Sequence, residues 1–224
     1  MGKNKLERFA ENLTFENLFQ VPYEQIKDED FHLKGKWKEE YFKNNNPLVL
    51  ELGCGKGEYT VGLARKYKDR NFIGIDIKGA RLWRGCKTAV QENLSNVAFI
   101  RTHIQMLNSF FGKDEVDQIW ITFCDPQPKN ENRRLTCPRF LDLYSKVLAP
   151  NAVLHLKTDS KELFDYTYQT LQQQGHGILF ATDDLYADTA TEDAEKIQTF
   201  YEKMFLDEGK KITYIRFTLN KEGK

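Results

Sequence analysis

The residues with the most chemical content fall into a few short runs. In VLELGCGKGEYTVGLA (49–64) a strand-like segment carries Glu51, and Gly53, Gly55 and Gly57 then precede a helical pattern. Glycines at such positions permit positive φ and let the backbone approach a ligand closely, while the N-terminus of the next helix offers free N–H groups. In NFIGIDIKGARL (71–82) a second strand ends on Asp76. A carboxylate there, about 20 residues past a glycine turn, can accept both hydroxyls of a ribose. Taken singly, the turn and the acid have structural explanations, a tight corner and a helix cap. Together, at this spacing, they point to an adenosine-containing cofactor. In NVAFIRTHIQML (96–107), His103 lies just past a third strand. Either it or its neighbour flanks the adenine, through the backbone N–H more than the side chain, or it is an ordinary polar turn residue.

A second group of runs suits an acceptor. WITFCDPQPKNENRRLTCPR (120–139) places Asp125 at the carboxyl end of a strand, where open α/β sheets bind ligands, and Pro126 and Pro128 preset the loop that follows. From Lys129 to Arg139, the basic residues Lys129, Arg133, Arg134 and Arg139 stand against the single acid Glu131, an excess that can position a phosphate backbone or form a solvated face. Lys78, Arg81, Arg84 and Lys87 repeat at helical spacing and extend that surface or are a second solvated face. Asp159, in HLKTDSKELF, follows a fifth strand and faces the crevice or caps a helix. Thr199 and Glu202, in QTFYEKMFLDEG, have the spacing of a capping box around Phe200 and Tyr201. The acidic stretch TDDLYADTATEDAE (182–195) reads as a solvated loop that would repel phosphate.

Positioning these residues calls for alternating strands and helices. From Pro47 onward, strand patterns at 47–52, 71–76, 97–101, 117–123, 152–158, 177–182 and 211–219 are separated by helical patterns at 57–68, 79–94, 104–111, 136–148, 160–174 and 193–208. Such alternation signals βαβ units and a mainly parallel sheet. The last strand, after a helix ended by Gly209, reads as an edge strand. Residues 1–45 read as an extension flanking a core domain of 46–224.

Composition narrows the function classes. The 224 residues, 40% of them hydrophobic, suffice for one α/β domain. Lys+Arg 33 balance Asp+Glu 33, which argues against indiscriminate coating of nucleic acid but leaves room for a local basic face. No apolar run approaches the roughly 18 residues of a membrane-spanning helix, and the polar N-terminus lacks a secretory signal, so a cytoplasmic location is expected. The four cysteines show neither C-x-x-C nor zinc-ligand spacing, so reduced thiols and no bound metal are expected.

The runs ELGCGKG, IGID, FCDPQPKNENRRL, LKTD and TFYE, in this order, resemble the bacterial tRNA (guanine-N7-)-methyltransferases over roughly residues 46–219, with DP-x-PK…RRL the most specific part. The resemblance implies a Rossmann-like class I methyltransferase fold, a seven-stranded, mostly parallel sheet with an antiparallel last strand and helices on both faces. It implies S-adenosyl-L-methionine at Glu51, Gly53, Gly55, Gly57, Asp76, His103 and Asp125, with Asp125 also catalytic. It implies tRNA at Lys129, Arg133, Arg134, Asp159, Thr199, Phe200, Tyr201 and Glu202, and 7-methylguanosine in the variable loop as product. No obligatory protein partner is expected, and both monomer and homodimer are open. The family usually has Trp at Gln127 and an acid at His103. The competing readings are a class I methyltransferase with another acceptor, a nicotinamide dehydrogenase, which the G-x-G-x-G spacing disfavours, and a non-catalytic RNA-binding module.

Overall fold

The alternation of apolar strands and amphipathic helices closes into a single sheet in the computed structural model, which describes residues 3–188 and 196–220. In chain order the elements are α1 (Lys3–Asn12), β1 (Leu18–Gln20), α2 (Tyr23–Ile26), β2 (Leu48–Leu52), α3 (Glu58–Lys66), β3 (Asn71–Asp76), α4 (Gly79–Gln91), β4 (Val97–Arg101), α5 (Leu107–Phe110), β5 (Val116–Thr122), α6 (Pro138–Ser145), β6 (Leu148–Thr158), α7 (Lys161–Gln173), β7 (Gly177–Thr182), α8 (Phe200–Asp207) and β8 (Thr213–Thr218). The sheet order is β1-β4-β3-β2-β5-β6-β8-β7, parallel except that β8 runs antiparallel to both β6 and β7. All five residues of β2 are buried, as expected of a central strand covered on both faces. Its side chains alternate between two cores, Leu48, Leu50 and Leu52 facing α6 and α7, Val49 facing α3 and α4.

Two expectations about the sheet are corrected. It has eight strands rather than seven: Leu18–Gln20, too short to show a period, pairs parallel with β4 and covers what would be an open edge. The last strand is interior, lying between β6 and β7, and β7 takes the edge. β8 is buried at four of its six positions, whereas β7 has no buried residue, so the interior place in the sheet goes to the more deeply buried segment. Two helices are shorter than their patterns. The 104–111 pattern divides into a 3-10 turn, Ile104–Met106, and α5, and the 193–208 pattern yields α8, with 189–195 outside the described residues. Much of the acidic stretch lies there too.

The N-terminal residues supply core as well as edge. The Trp37 ring is fully buried, its Nε1–H donates to the Phe110 carbonyl at 2.9 Å, and Phe19 meets it edge-on at 5.2 Å. Helix α1 lies against α4, where Asn12 Nδ2 donates to the Gly79 carbonyl at 2.9 Å and Glu11 accepts from Trp83 Nε1 at 2.6 Å and Lys87 Nζ at 2.8 Å. Among the described residues, no helix is long and apolar enough to cross a membrane.

Candidate active site

Because β2 to β6 run parallel, their carboxyl ends share one edge of the sheet, and most of the chemically informative residues stand along it. The turn after β2 holds Gly53, Gly55 and Gly57 at φ of 74°, 56° and 69°, the left-handed region that side chains other than glycine rarely adopt. At Gly53 and Gly55 no atom lies within 4 Å of where a Cβ would be, so the backbone there is bare toward the crevice. Gly57 differs: a Cβ would stand 2.5 Å from the Phe99 ring, because the start of α3 is pressed onto the core.

Beneath this turn Glu51 is buried yet fully engaged. Its Oε2 accepts from the Thr60 N–H at 2.8 Å and from the Thr60 hydroxyl, and its Oε1 accepts from the Thr122 hydroxyl at 2.6 Å. Burial nevertheless dominates and pushes its pKa up to about 7, against the lowering effect of those donors. No cationic side chain neutralises it among the described residues, so this carboxylate is suited to a cationic ligand. Asp76 is already oriented, with Oδ2 accepting from the Gly55 N–H at 3.0 Å and Oδ1 from the Lys78 N–H at 2.7 Å.

Two adjoining depressions make the bed. A recess of about 70 Å³ is lined by Glu51, Gly53, Gly55, Thr122, Thr199 and Tyr201. A cleft of about 590 Å³, lined among others by Gly53, Asp76, Ile77, His103 and Arg133, continues from it, Gly53 belonging to both. His103 is exposed, sits as the N-cap of the 3-10 turn after β4 and lines the cleft.

Past β5, Asp125 is exposed on a loop bracketed by Phe123 and Gln127, both at φ of 48°. Left-handed conformations at two non-glycine residues persist only where the surroundings dictate them, and they cluster at functional sites. Asp125 Oδ1 accepts from the Gln127 N–H at 3.0 Å, leaving Oδ2 free. Burial pushes the Cys124 thiol up to about 12, with smaller contributions from the carboxylates of Asp125 and Asp159. Asp159 is half-buried, with Lys210 Nζ 3.6 Å from its Oδ2.

The basic segment divides. Lys129 and Arg133 are exposed, and Arg133 lines the cleft with Arg139. Arg134 is turned inward instead, 2% exposed, its Nε–H donating to the Pro126 carbonyl at 3.1 Å, its terminal nitrogens paired with Glu131 at 3.3 Å and with Glu162, and its guanidinium 4.4 Å from the Tyr166 ring centre. Each of its three nitrogens thus has a protein partner. Arg134 holds the DPQP loop in shape and is not available to a phosphate.

The TFYE run divides in the same way. Thr199 and Glu202 form the capping box of α8, the Glu202 N–H donating to Thr199 Oγ1 at 3.2 Å and the Thr199 N–H to Glu202 Oε2 at 3.3 Å. Glu202 is fully buried and pairs at 2.7 Å with the equally buried Lys157 Nζ, while the Tyr186 hydroxyl donates to it at 2.7 Å. Lys157 also donates to the Ile197 carbonyl at 3.0 Å. Glu202 therefore faces away from any substrate, whereas Phe200 and Tyr201 are exposed at 55% and 41%. The Phe200 N–H donates to Glu58 Oε2 at 2.8 Å, tying α8 to the start of α3. Sequence reasoning missed Lys157, Glu162, Tyr166, Thr60 and Thr122. Lys157 and Glu162 stand in the HLKTDSKELF run and Thr122 in the strand pattern at 117–123, but type and spacing assigned them no role.

A family model described as a putative methyltransferase matches residues 45–215. The chain is 55% identical over 221 residues to a tRNA (guanine-N(7)-)-methyltransferase of Christiangramia forsetii, covering 97% of this chain and 99% of that one. It is 48% identical over 224 residues to the protein of the same name from Bacteroides fragilis, covering 100% and 89%. Among solved structures it is similar to the 16S rRNA methyltransferase KamB, with a TM-score of 0.62 over 81% of this chain and 92% of that one. At 14% identity that likeness concerns the fold, which is the Rossmann-like class I methyltransferase fold. With its family model spanning most of the chain and near-full-length relatives at about half identity, the chain belongs to the tRNA (guanine-N(7)-)-methyltransferase family.

Proposed function

We propose that this chain transfers a methyl group from S-adenosyl-L-methionine to N7 of the variable-loop guanosine of tRNA. The observation that carries the reading is the juxtaposition, around Gly53, of a bare glycine turn, a buried carboxylate without a cation among the described residues and an oriented second carboxylate, with the strained loop of Asp125 beyond β5 and Tyr201 lining the recess.

The residues fit the cofactor. Glu51 would take its cationic amino acid end, Gly53 and Gly55 would line its middle with backbone alone, Asp76 would accept from its ribose hydroxyls and His103 would border its adenine. When bound, this group supplies a methyl on a positively charged sulfur. Guanine N7 carries a lone pair and no proton in neutral RNA, so the acceptor needs no general base. The protein's task is alignment, an orientation effect worth roughly 7–11 kcal/mol in favourable cases. Asp125 Oδ2 and Asp159 would accept from the guanine N1–H and N2 amino group and offset the positive charge left on the methylated ring. Phe200 and Tyr201 would stack against a base drawn out of its RNA helix, and Lys129 and Arg133 would hold phosphates. The reading places the enzyme in the cytoplasm, acting without an obligatory protein partner as a monomer or homodimer.

The test is transfer of labelled methyl to unmodified tRNA transcripts whose variable-loop guanosine is intact or replaced by adenosine. Label on the intact transcript alone, recovered as 7-methylguanosine, supports the reading. Absence of label on both, with cofactor binding demonstrated, overturns it.

A further inference from the structure

A groove of about 680 Å³ opens on the far side of the glycine turn from Arg133, between α1, α3, α4 and the start of α8. Its rim carries Arg8, Lys56, Arg81, Arg84 and Lys203, none of which has an ion-pair partner among the described residues. Arg65, also on the rim, is neutralised by Glu92 at 2.5 Å. Among the described residues, the one carboxylate lining the groove, Glu58, accepts from the Phe200 N–H at 2.8 Å. Arg8 and Arg84 flank the Trp83 ring at 4.7 and 5.1 Å, so two guanidinium groups from different helices are held in place before any ligand arrives. Between these cations the groove is lined by Gly57, Gly62 and Gly85 together with Val61, Ala80 and Ile197.

A chain of zero net charge has no general excess of cations to spread. Five cations converging on one groove against the single carboxylate of Glu58 among the described residues repel one another, a cost offset by a polyanion that neutralises several of them at once. The span from α1 to α8 exceeds what a small anion would fill, and the groove abuts Lys56 and Gly57, at the edge of the cofactor bed. We infer that this groove binds the phosphodiester backbone flanking the target nucleoside, on the opposite side of the bed from Arg133 and Arg139. A strand whose base enters the mouth then has its phosphates held both before and after that base. This inference rests on the tRNA reading above.

The test compares tRNA binding by the full-length wild type and the R84Q/K203Q double variant as salt is raised. The logarithmic salt slope is expected to fall by about 2, so between about 50 and 200 mM salt the variant loses roughly tenfold less affinity than wild type. Affinity for S-adenosylhomocysteine stays unchanged, and R84K/K203R, which keeps the charges, restores the slope. A double variant with wild-type slope and affinity overturns the inference, as does loss of polyglutamate binding with tRNA binding intact, which would assign the groove to an acidic peptide. A wild type that neither binds nor methylates tRNA takes down the tRNA reading itself. Failure of the groove alone leaves wild-type turnover intact.

Discussion

The cofactor side and the acceptor side of this site are built by different means. Around Gly53, Gly55 and Asp76 the geometry is local: three positive φ angles and two backbone N–H bonds to one carboxylate, all within two neighbouring βα turns. On the acceptor side the loop bearing Asp125 and the helix start bearing Phe200 and Tyr201 are held by buried charges, Arg134 against Glu131 and Glu162, and Lys157 against Glu202. A turn defined by backbone conformation keeps its shape whatever lies behind it. A segment held by a buried ion pair keeps its shape only while both partners remain, because either alone is an uncompensated charge.

The sharpest challenge to that contrast is Glu202→Ala. Leaving Lys157 buried without its partner is expected to cost about 3–5 kcal/mol, read as a large drop in the midpoint of denaturant unfolding. The double variant K157M/E202L should recover most of that stability while tRNA turnover stays depressed, since the start of α8 loses its anchor. Recovery of both would show that the pair does not position the site.

On the cofactor side, Gly57→Ala combines a left-handed φ with a 2.5 Å approach to Phe99 and is expected to cost about 2–4 kcal/mol. Gly55→Ala meets only the backbone penalty, about 1–2 kcal/mol, with cofactor affinity lost in calorimetric titration. Equal destabilisation by the two would contradict the difference in their surroundings. Arg134→Met should cost less stability than Glu202→Ala, about 1–2 kcal/mol, because Glu131 and Glu162 are more than half exposed and return to water. Its signature is kinetic: kcat/KM for tRNA falls while affinity for S-adenosylhomocysteine holds.

The smallest effect is a pH dependence. With Glu51 raised from 4.5 to about 7, the folded chain keeps a proton that the unfolded chain has released across that window. Stability therefore falls as pH rises through it and levels off above about 7, amounting to about 1 kcal/mol between about pH 6 and 8. Glu51→Gln should flatten that slope in unfolding curves, and bound cofactor, whose cationic end favours the ionised carboxylate, should flatten it too.

Much of this architecture was readable from residue order. Positive φ demands glycine, a strand covered on both faces demands a run of β-branched and aliphatic residues, and a capping box demands Thr and Glu three apart. Gly53 to Gly57, the strands from β2 to β8 and the start of α8 could therefore be placed by type and spacing. Leu18–Gln20 could not, because three residues carry no period and pair only by virtue of the open edge of β4.

Nor could the fate of individual charges be read. Arg133 and Arg134 are adjacent and chemically identical, yet one faces the cleft and the other is enclosed by Pro126, Glu162 and Tyr166. Glu202 carries the same carboxylate as the exposed acids around it, but Lys157 and Tyr186 arrive from distant parts of the chain to bury it. Residue type specifies the backbone conformations a segment can adopt and the charge it carries. Whether that charge meets water, substrate or a buried partner depends on which remote elements fill the space around it, and that is a property of the packed fold.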